Sequence, residues 1–348
     1  MTSSRRVLLL PATVTAITLG MTGCSSSADG AENTADADTT TVSVALDWMA
    51  NTNHIGLFVA DELGYFADAG IDLEVLPYAS APTVDLVSSG AADFGVSTQS
   101  TVQNARTAGA DIISTYAVVQ KETGALVTLG DRTDITSPAD LDGKIYGGFG
   151  IPLYSAIART AIQDAGGTGA FEDVTLTTGS YEALTSGAID FTASIVTWEN
   201  VFRELEGDPY QTFLYSDFGV PAEQTIVLAS SDAYLDGNAD TAEAFLGAVQ
   251  KGYAFAADDP EAAADLLIEA NPDVLGGSEE LVHASARLLA DDNYFVAEDG
   301  SFGTHNAETW STFGDYLVEQ ELLTDENGDP VTETPDWTGY YTDAFLGE

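Results

Sequence analysis

Hydrophobic positions from Val42 onward fall into two rhythms that take turns along the chain. "TVSVALDW" alternates into a short apolar run and predicts a strand. "NHIGLFVADELGYFADAG" then places Ile55, Phe58, Val59, Leu63 and Phe66 at helical spacing and stops at Gly70. "IDLEVLPY" sets Ile71, Leu73 and Val75 against Asp72 and Glu74, a half-buried strand. The exchange continues through "ADFGVST", "DIISTYAVV", "KIYGGFG", "SAIARTAIQDAGG", "VTLTTG" and "DFTASIVTW". Strand-then-helix repetition predicts an α/β architecture with largely parallel sheets. Beyond Gln224, "TIVLASSDAYL" reads as a strand, alanine-rich helices run from Thr241 to Leu289, and "NAETWSTFGDYLVEQELL" is a further amphipathic helix.

A repeat divides this pattern in two. "SGAADFGVS" (Ser89 to Ser97) and "SGAIDFTAS" (Ser186 to Ser194) agree at six of nine positions, all at an offset of 97 residues. We read a duplicated helix–turn–strand unit, one copy in each of two α/β lobes around a ligand cleft with a hinge. The expected boundaries are 42–127 plus 224–348 for the first, discontinuous lobe and 128–223 for the second. In open α/β sheets ligands sit beyond the carboxyl ends of strands. The segments "LDWMANTNH", "TQST", "GGFGIPLYS" and "IVTWEN" all follow predicted strands, so they are expected to face that cleft.

Composition narrows the ligand. The 348 residues carry 56 Asp plus Glu against 10 Lys plus Arg, a formal charge of −46. There is no basic footprint for nucleic acid, and the scattered acids predict a hydrated, self-repelling surface. Such a balance suits a saline habitat. A single cysteine, Cys24, follows Arg5, Arg6, the apolar run "VLLLPATVTAITLG" and "MTG". This resembles a lipoprotein signal peptide over residues 1–23, with Cys24 as the lipidation site and a flexible tether over 24–41. "SRRVLL" also resembles a twin-arginine export signal. The expected location is extracytoplasmic, lipid-anchored to the outer face of the cytoplasmic membrane.

Enzyme signatures are weak. His54, His283 and His305 are far apart, no residue after Cys24 is a cysteine, and neither G-x-S-x-G nor a P-loop occurs. No metal or cofactor is expected, and no catalytic residue. Binding fits better: Trp48, Phe149, Tyr154 and Trp198 offer flat apolar surfaces, and Asn51, Asn53, Thr98, Gln99 and Glu199 offer polar contacts. The cleft segments hold no arginine, so a planar neutral or weakly cationic heterocycle suits them better than a sulfonate. Asn51, Asn53 and His54 also sit where helix caps sit, and Glu199 where a first-turn acid would. Trp310 and Trp337 read as structural.

"LDWMANTNHIGLFVADELGYFADAGIDLEVL", "VSSGAADFGVST" and "GSYEALTSGAIDFTASIVTWEN" together resemble the NMT1/THI5-like, thiamine-precursor group of solute-binding proteins. The resemblance implies a type II periplasmic-binding-protein fold, a monomer, and partnership with an ABC permease and ATPase. It implies an aminopyrimidine ligand, of hydroxymethylpyrimidine or formylaminomethyl-pyrimidine type. Carried over by position, Trp48, Asn51 and His54 would line the cleft from the first lobe, and Trp198 and Glu199 from the second. The related fungal pyrimidine synthases carry a cysteine-rich motif, a sacrificial histidine and a cofactor-holding lysine. Here Thr101 and Ser97 stand in place of the last two, so synthase chemistry is not expected. Ala50 stands where proline is common in the group. The alternatives are another small solute, a riboflavin-like heterocycle or an alkylsulfonate, or a secreted enzyme acting on thiamine fragments.

Overall fold

The computed structural model describes residues 39–347 apart from 77, 79, 80 and 177. The predicted leader, Cys24 and most of the predicted tether lie outside the described residues.

The first half runs β1 (Thr40–Ala45), α1 (Ile55–Glu62), α2 (Tyr65–Asp68), β2 (Ile71–Leu76), α3 (Thr83–Ser88), β3 (Phe94–Ser97), α4 (Gln99–Thr107) and β4 (Ile113–Val119). The chain then enters β5 (Gly124–Leu129), β6 (Ile145–Gly148), α5 (Pro152–Asp164), β7 (Glu172–Thr175), α6 (Ser180–Thr185), β8 (Phe191–Ile195), α7 (Val201–Leu205) and β9 (Tyr210–Leu214). It returns through β10 (Ile226–Ser230), α8 (Asp232–Gly237), α9 (Ala239–Asp258), α10 (Pro260–Ala270), α11 (Pro272–Leu275), α12 (Glu279–Asp291) and α13 (Ala307–Glu319).

Two five-stranded sheets result, ordered β2-β1-β3-β10-β4 and β7-β6-β8-β5-β9. They repeat one plan. In each, three strands are parallel, then an antiparallel strand from the other half of the chain slots in before the last. The sheets are therefore mixed rather than largely parallel as expected. β5 follows β4 directly but pairs with β8 and β9, and β10 follows β9 but pairs with β3 and β4. A boundary drawn at residue 127 thus falls inside β5, and the chain crosses at 120–123 and again at 215–225.

The repeated segment explains why each sheet closes alike. Gly90 and Gly187 take φ of 72° and 73°, a left-handed turn that glycine adopts without strain, and both lead into a central strand. Asp93 accepts from the Ser43 N–H (2.8 Å) and hydroxyl (2.7 Å), stapling β3 to β1. Asp190 does the same for β8 and β6 by accepting from the Ile145 N–H at 3.0 Å. Phe94 and Phe191 follow and are sealed in the core.

The predicted long helix after the first strand divides in two, because Gly64 (φ 74°) turns the chain between α1 and α2. α1 lies against α9, where Gly252 has no room for a side chain: a Cβ there would sit 2.0 Å from the Gly56 carbonyl oxygen. Tyr253 beside it donates to the Asn53 carbonyl at 2.7 Å. Helix packing thereby holds the loop after β1.

Trp310 and Trp337 are structural, as read from the sequence: both are buried, and their ring N–H groups donate to Gln224 and Asp315 at 2.9 Å.

Candidate functional site

Loops at the carboxyl ends of strands from both sheets converge. Those after β3 and β6 meet across a cavity of about 290 Å³ lined in part by Ser100, Thr101, Asn104, Ile151, Pro152 and Leu153. A larger depression, about 510 Å³, lies on α9 around Asp240, Glu243 and Lys251, and none of the predicted site residues lines either of the two.

The loop after β1 is built by its own polar groups. Asn51 caps a short 3-10 turn: its side-chain oxygen accepts from the Asn53 N–H at 2.9 Å, and its amide donates to the Met49 carbonyl at 3.0 Å. His54 is fully buried, and both ring nitrogens are taken. Nδ1 accepts from the Asn51 N–H at 3.2 Å, so the proton sits on Nε2 and is donated to Asp47 at 2.8 Å. His54 therefore holds Asp47, and His54 and Asn51 spend their polar atoms on the loop itself. Trp48, in contrast, is 55% exposed and lies 5.2 Å from the ring of Tyr78, itself 46% exposed.

Other predicted residues divide in the same way. Thr98 caps α4 by accepting from the Thr101 N–H at 3.1 Å. Gln99 is sealed and ties three segments together, donating to the Thr309 carbonyl (3.2 Å) and accepting from the Gln224 N–H (2.9 Å). It has no polar atom left for a ligand. Phe149 is exposed, with its ring edge-on to Tyr154 at 6.2 Å. Of "GGFG", only Gly150 is a left-handed loop glycine (φ 77°). Gly147 and Gly148 belong to β6, where a Cβ would strike Ile189 or Tyr146.

From the second lobe, β8 runs into a π-helical turn, Val196–Asn200, that presents Trp198 and Glu199. Such turns recur at functional sites because they re-aim side chains that a regular helix would stack in register. Trp198 packs on the hydrophobic core of the first lobe. The turn is pinned by Ser285 of α12, whose hydroxyl donates to the Thr197 carbonyl at 2.5 Å and meets Thr52 at 2.7 Å. Asn200 is held between Ser194 and Thr212. The Glu199 carboxylate accepts from the Ile195 N–H at 3.1 Å. Loss of solvent raises its proton affinity, and the backbone bond only partly offsets this.

Three carboxylates escaped the sequence reading. Asp47 lies on the first loop, Glu122 on the first crossing segment and Glu223 on the second. Solvent still touches Glu122 and Glu223, which are only half-buried, yet protein surrounds them closely enough to hinder ionisation. Glu122 accepts from the Gly124 N–H at 2.5 Å, and desolvation pushes its pKa up to about 7. Glu223 accepts from the Ser100 N–H at 3.2 Å and is raised by desolvation and then by the charge of Glu122. Tyr154 feels Glu223, Glu122 and Asp47, and Tyr181 feels Glu199 and Tyr154, so the cluster is continuous across the lobes. Each carboxylate is steadied by a backbone or imidazole N–H. Among the described residues no lysine or arginine pairs with any of the four. Lys121, beside Glu122, turns away to the Asp292 carbonyl and the Tyr294 ring.

The raised acid has a measurable consequence. Between pH 4.5 and 7 the folded protein keeps a proton on Glu122 that the unfolded chain has lost, so stability falls as pH rises through that window. Glu223, Tyr154, Tyr215 and Tyr294 are the titratable groups that feel Glu122, and none brings a positive charge to oppose the trend. We expect the melting temperature to drop by several degrees from pH 5 to pH 8, and Glu122→Gln to flatten the drop. An equal slope in the variant, measured by scanning calorimetry, would assign the trend to overall charge instead.

A Ser–His–Asp constellation is present elsewhere. His305 Nε2 lies 2.7 Å from the Ser114 hydroxyl, and Nδ1 lies 2.5 Å from Asp343. Ser114 and the His305 side chain are fully buried, and the Tyr341 ring stacks on the imidazole at 4.9 Å. Burial also depresses the pKa of His305. With the hydroxyl sealed and Ser114 bridged to the backbone of Tyr340 and Thr342, the trio staples the C-terminal segment to β4. Among the described residues no group of three or more His, Cys, Asp or Glu is placed to hold a metal, and no helix is long and apolar enough to cross a membrane.

Comparison with known proteins fits this architecture. The chain is 31% identical over 318 residues to the formylaminopyrimidine-binding protein of Halalkalibacterium halodurans, covering 86% of this chain and 94% of that one. It is 26% identical over 240 residues to the 4-amino-5-hydroxymethyl-2-methylpyrimidine phosphate synthase of Legionella pneumophila, covering 66% of this chain and 74% of that one. The periplasmic aliphatic sulphonate binding protein SsuA from Escherichia coli shares the fold, with a TM-score of 0.64 at 15% identity over 86% of this chain and 91% of that one. The fold is thus that of the periplasmic binding proteins. The family model described as NMT1/THI5 like matches residues 51–263. With two crossing segments, the duplicated sheets and a relative at this identity over nearly its whole length, the chain belongs to the NMT1/THI5-like family.

Proposed function

We propose that this protein is the extracytoplasmic, Cys24-anchored substrate-binding subunit of an ABC importer, capturing an aminopyrimidine thiamine precursor by lobe closure without turning it over. The observation that carries this reading is the set of four carboxylates after strands and on the crossing segments, Asp47, Glu122, Glu199 and Glu223, steadied by N–H groups and paired with no lysine or arginine among the described residues. Such a site accepts hydrogen bonds and repels anions, which suits a donor-bearing, weakly basic ring. Trp48, Tyr78, Phe149 and Trp198 supply flat surfaces for that ring. The formylaminopyrimidine named for the relative from Halalkalibacterium halodurans supports a pyrimidine over other heterocycles. A sulfonate ligand lacks a counter-charge here, and the likeness to SsuA extends to the fold alone.

Thermal-shift and calorimetric titration with hydroxymethyl- and formylaminomethyl-aminopyrimidines, riboflavin and taurine tests the ligand. A pyrimidine is expected to raise the melting temperature by mass action and taurine to leave it unchanged. Mass spectrometry of the same mixtures should find the pyrimidine unaltered, and that of the mature protein should find lipid on Cys24. Stabilisation by taurine alone, or release of a product, would overturn the reading.

A further inference from the structure

Ser285 joins two loops that come from different sheets. Its helix, α12, packs on the core of the first lobe through Val282, Ala286 and Leu289. Its hydroxyl meets the Thr52 hydroxyl, in the loop after β1, at 2.7 Å and the Thr197 carbonyl, in the π-helical turn after β8, at 2.5 Å. β1 belongs to the first sheet and β8 to the second.

Chemistry fixes the direction of this chain of bonds. A carbonyl oxygen only accepts, and a serine hydroxyl has one proton to give. Ser285 spends that proton on Thr197, so at the other contact its oxygen accepts and Thr52 donates. The result is a directed relay, from Thr52 to Ser285 to Thr197, that passes from one lobe to the other. Thr52 and Thr197 are 1% exposed and Ser285 is 0% exposed. Water therefore cannot replace a lost link, and a group left without its partner there is costly.

The other polar ties of each loop stay within its own lobe. The loop after β1 is held by the Asn51 cap, by the His54–Asp47 pair and by the Tyr253 hydroxyl. The π-helical turn is held by Asn200 between Ser194 and Thr212, and by Glu199 on the Ile195 N–H. Those bonds set the shape of each loop, not where one stands relative to the other. Trp198 does cross to the first lobe's core, but apolar contact is non-directional and tolerates sliding. Hydrogen bonds from one buried hydroxyl to two loops do not tolerate it, because their strength falls steeply with distance and angle.

We infer that Ser285 is a positioning residue for the ligand site: its relay sets the loop that carries Asp47 and Trp48 in register with the turn that carries Trp198 and Glu199. This rests on the binding reading above for what the two loops grip. Ser285 is sealed from solvent and acts through Thr52 and Thr197 rather than by touching a ligand.

Hydrogen exchange on the ligand-free protein tests the relay without reference to any ligand. Thr52→Val keeps the shape of the side chain and removes the proton that starts the relay, whereas Thr52→Ser keeps that proton. Thr52→Val is expected to speed exchange of the amides of the π-helical turn, on the other lobe, by about threefold or more, and Thr52→Ser to leave it at the wild-type rate. Faster exchange in the loop after β1 alone, with the turn unchanged, would make Thr52 a local prop and overturn the inference. Calorimetric titration with 5-hydroxymethyl-4-amino-2-methylpyrimidine then reads the consequence for binding. Ser285→Ala is expected to weaken affinity about tenfold, Thr52→Val by about threefold or more, and the double variant no further than Ser285→Ala alone, because links in series fail together. Wild-type affinity in both single variants, whatever their melting temperatures, would overturn the positioning role and leave the aminopyrimidine reading intact. A wild-type protein that binds no pyrimidine would sink that reading, and the exchange rates would still decide the relay.

Discussion

Glu199→Gln is expected to weaken aminopyrimidine binding about 100-fold while leaving the empty protein as stable as before, or slightly more so. Glutamine has the same shape and can still accept from the Ile195 N–H through its amide oxygen. It removes the negative charge and replaces one acceptor with a donor, which turns a charge-assisted bond into a clash of two N–H groups. Hydrogen bonds to charged partners contribute about 1.5–3 kcal/mol, and 2.7 kcal/mol is about 100-fold in affinity. Burial already penalises the charged carboxylate, so its removal relieves the free protein rather than straining it. Affinity and melting temperature should therefore move in opposite directions. A parallel fall in both, by titration and thermal melting, would make Glu199 a structural acid of the π-helical turn.

The largest effect on stability is expected far from the ligand. Gly252→Ala should lower stability by about 3 kcal/mol, or roughly 5–10 °C in melting temperature. The new methyl would meet the Gly56 carbonyl at 2.0 Å, and backbone cannot rotate away as a side chain can. α1 would have to lift from α9, and with it the Asn53 carbonyl that Tyr253 holds at 2.7 Å. Because the loop carrying Asp47 and Trp48 is continuous with α1, ligand affinity should fall too. Gly247→Ala is the control: it lies on the same helix, and nothing stands within 4 Å of its Cβ direction. Equal melting temperatures for the two variants would show that α1 and α9 do not depend on close contact at Gly56.

What was legible in advance follows from where the information lies along the chain. Periodicity located every strand whose neighbours form a turn or helix of their own, and the nine-residue repeat located both central strands. β5 and β9 were missed. β5 is buried over most of its length, so its residues show no alternation, and its identity as a strand comes only from pairing with β8 and β9. The mixed character of the sheets was missed for the same reason: the antiparallel strand in each is donated by the other half of the chain.

That Trp48, Tyr154, Trp198 and Glu199 follow strands could be read in advance, because position after a strand is a local property. The roles of His54 and Gln99 could not. His54 is set by Asp47, whose acidity is lost to sequence reading among 56 carboxylates, and Gln99 is set by groups 125 and 210 residues away. Glu122 and Glu223 lie in crossing segments with no periodic pattern, and their character arises from the protein that folding packs around them, which partly shields them from water. The sequence by itself determined the two-lobed α/β plan, the family and the acidic surface, because period, repeat and charge are written residue by residue. Only the tertiary structure decided which polar side chains are spent on local hydrogen bonds and which carry a hindered charge, since both depend on partners that the chain does not bring near until it folds.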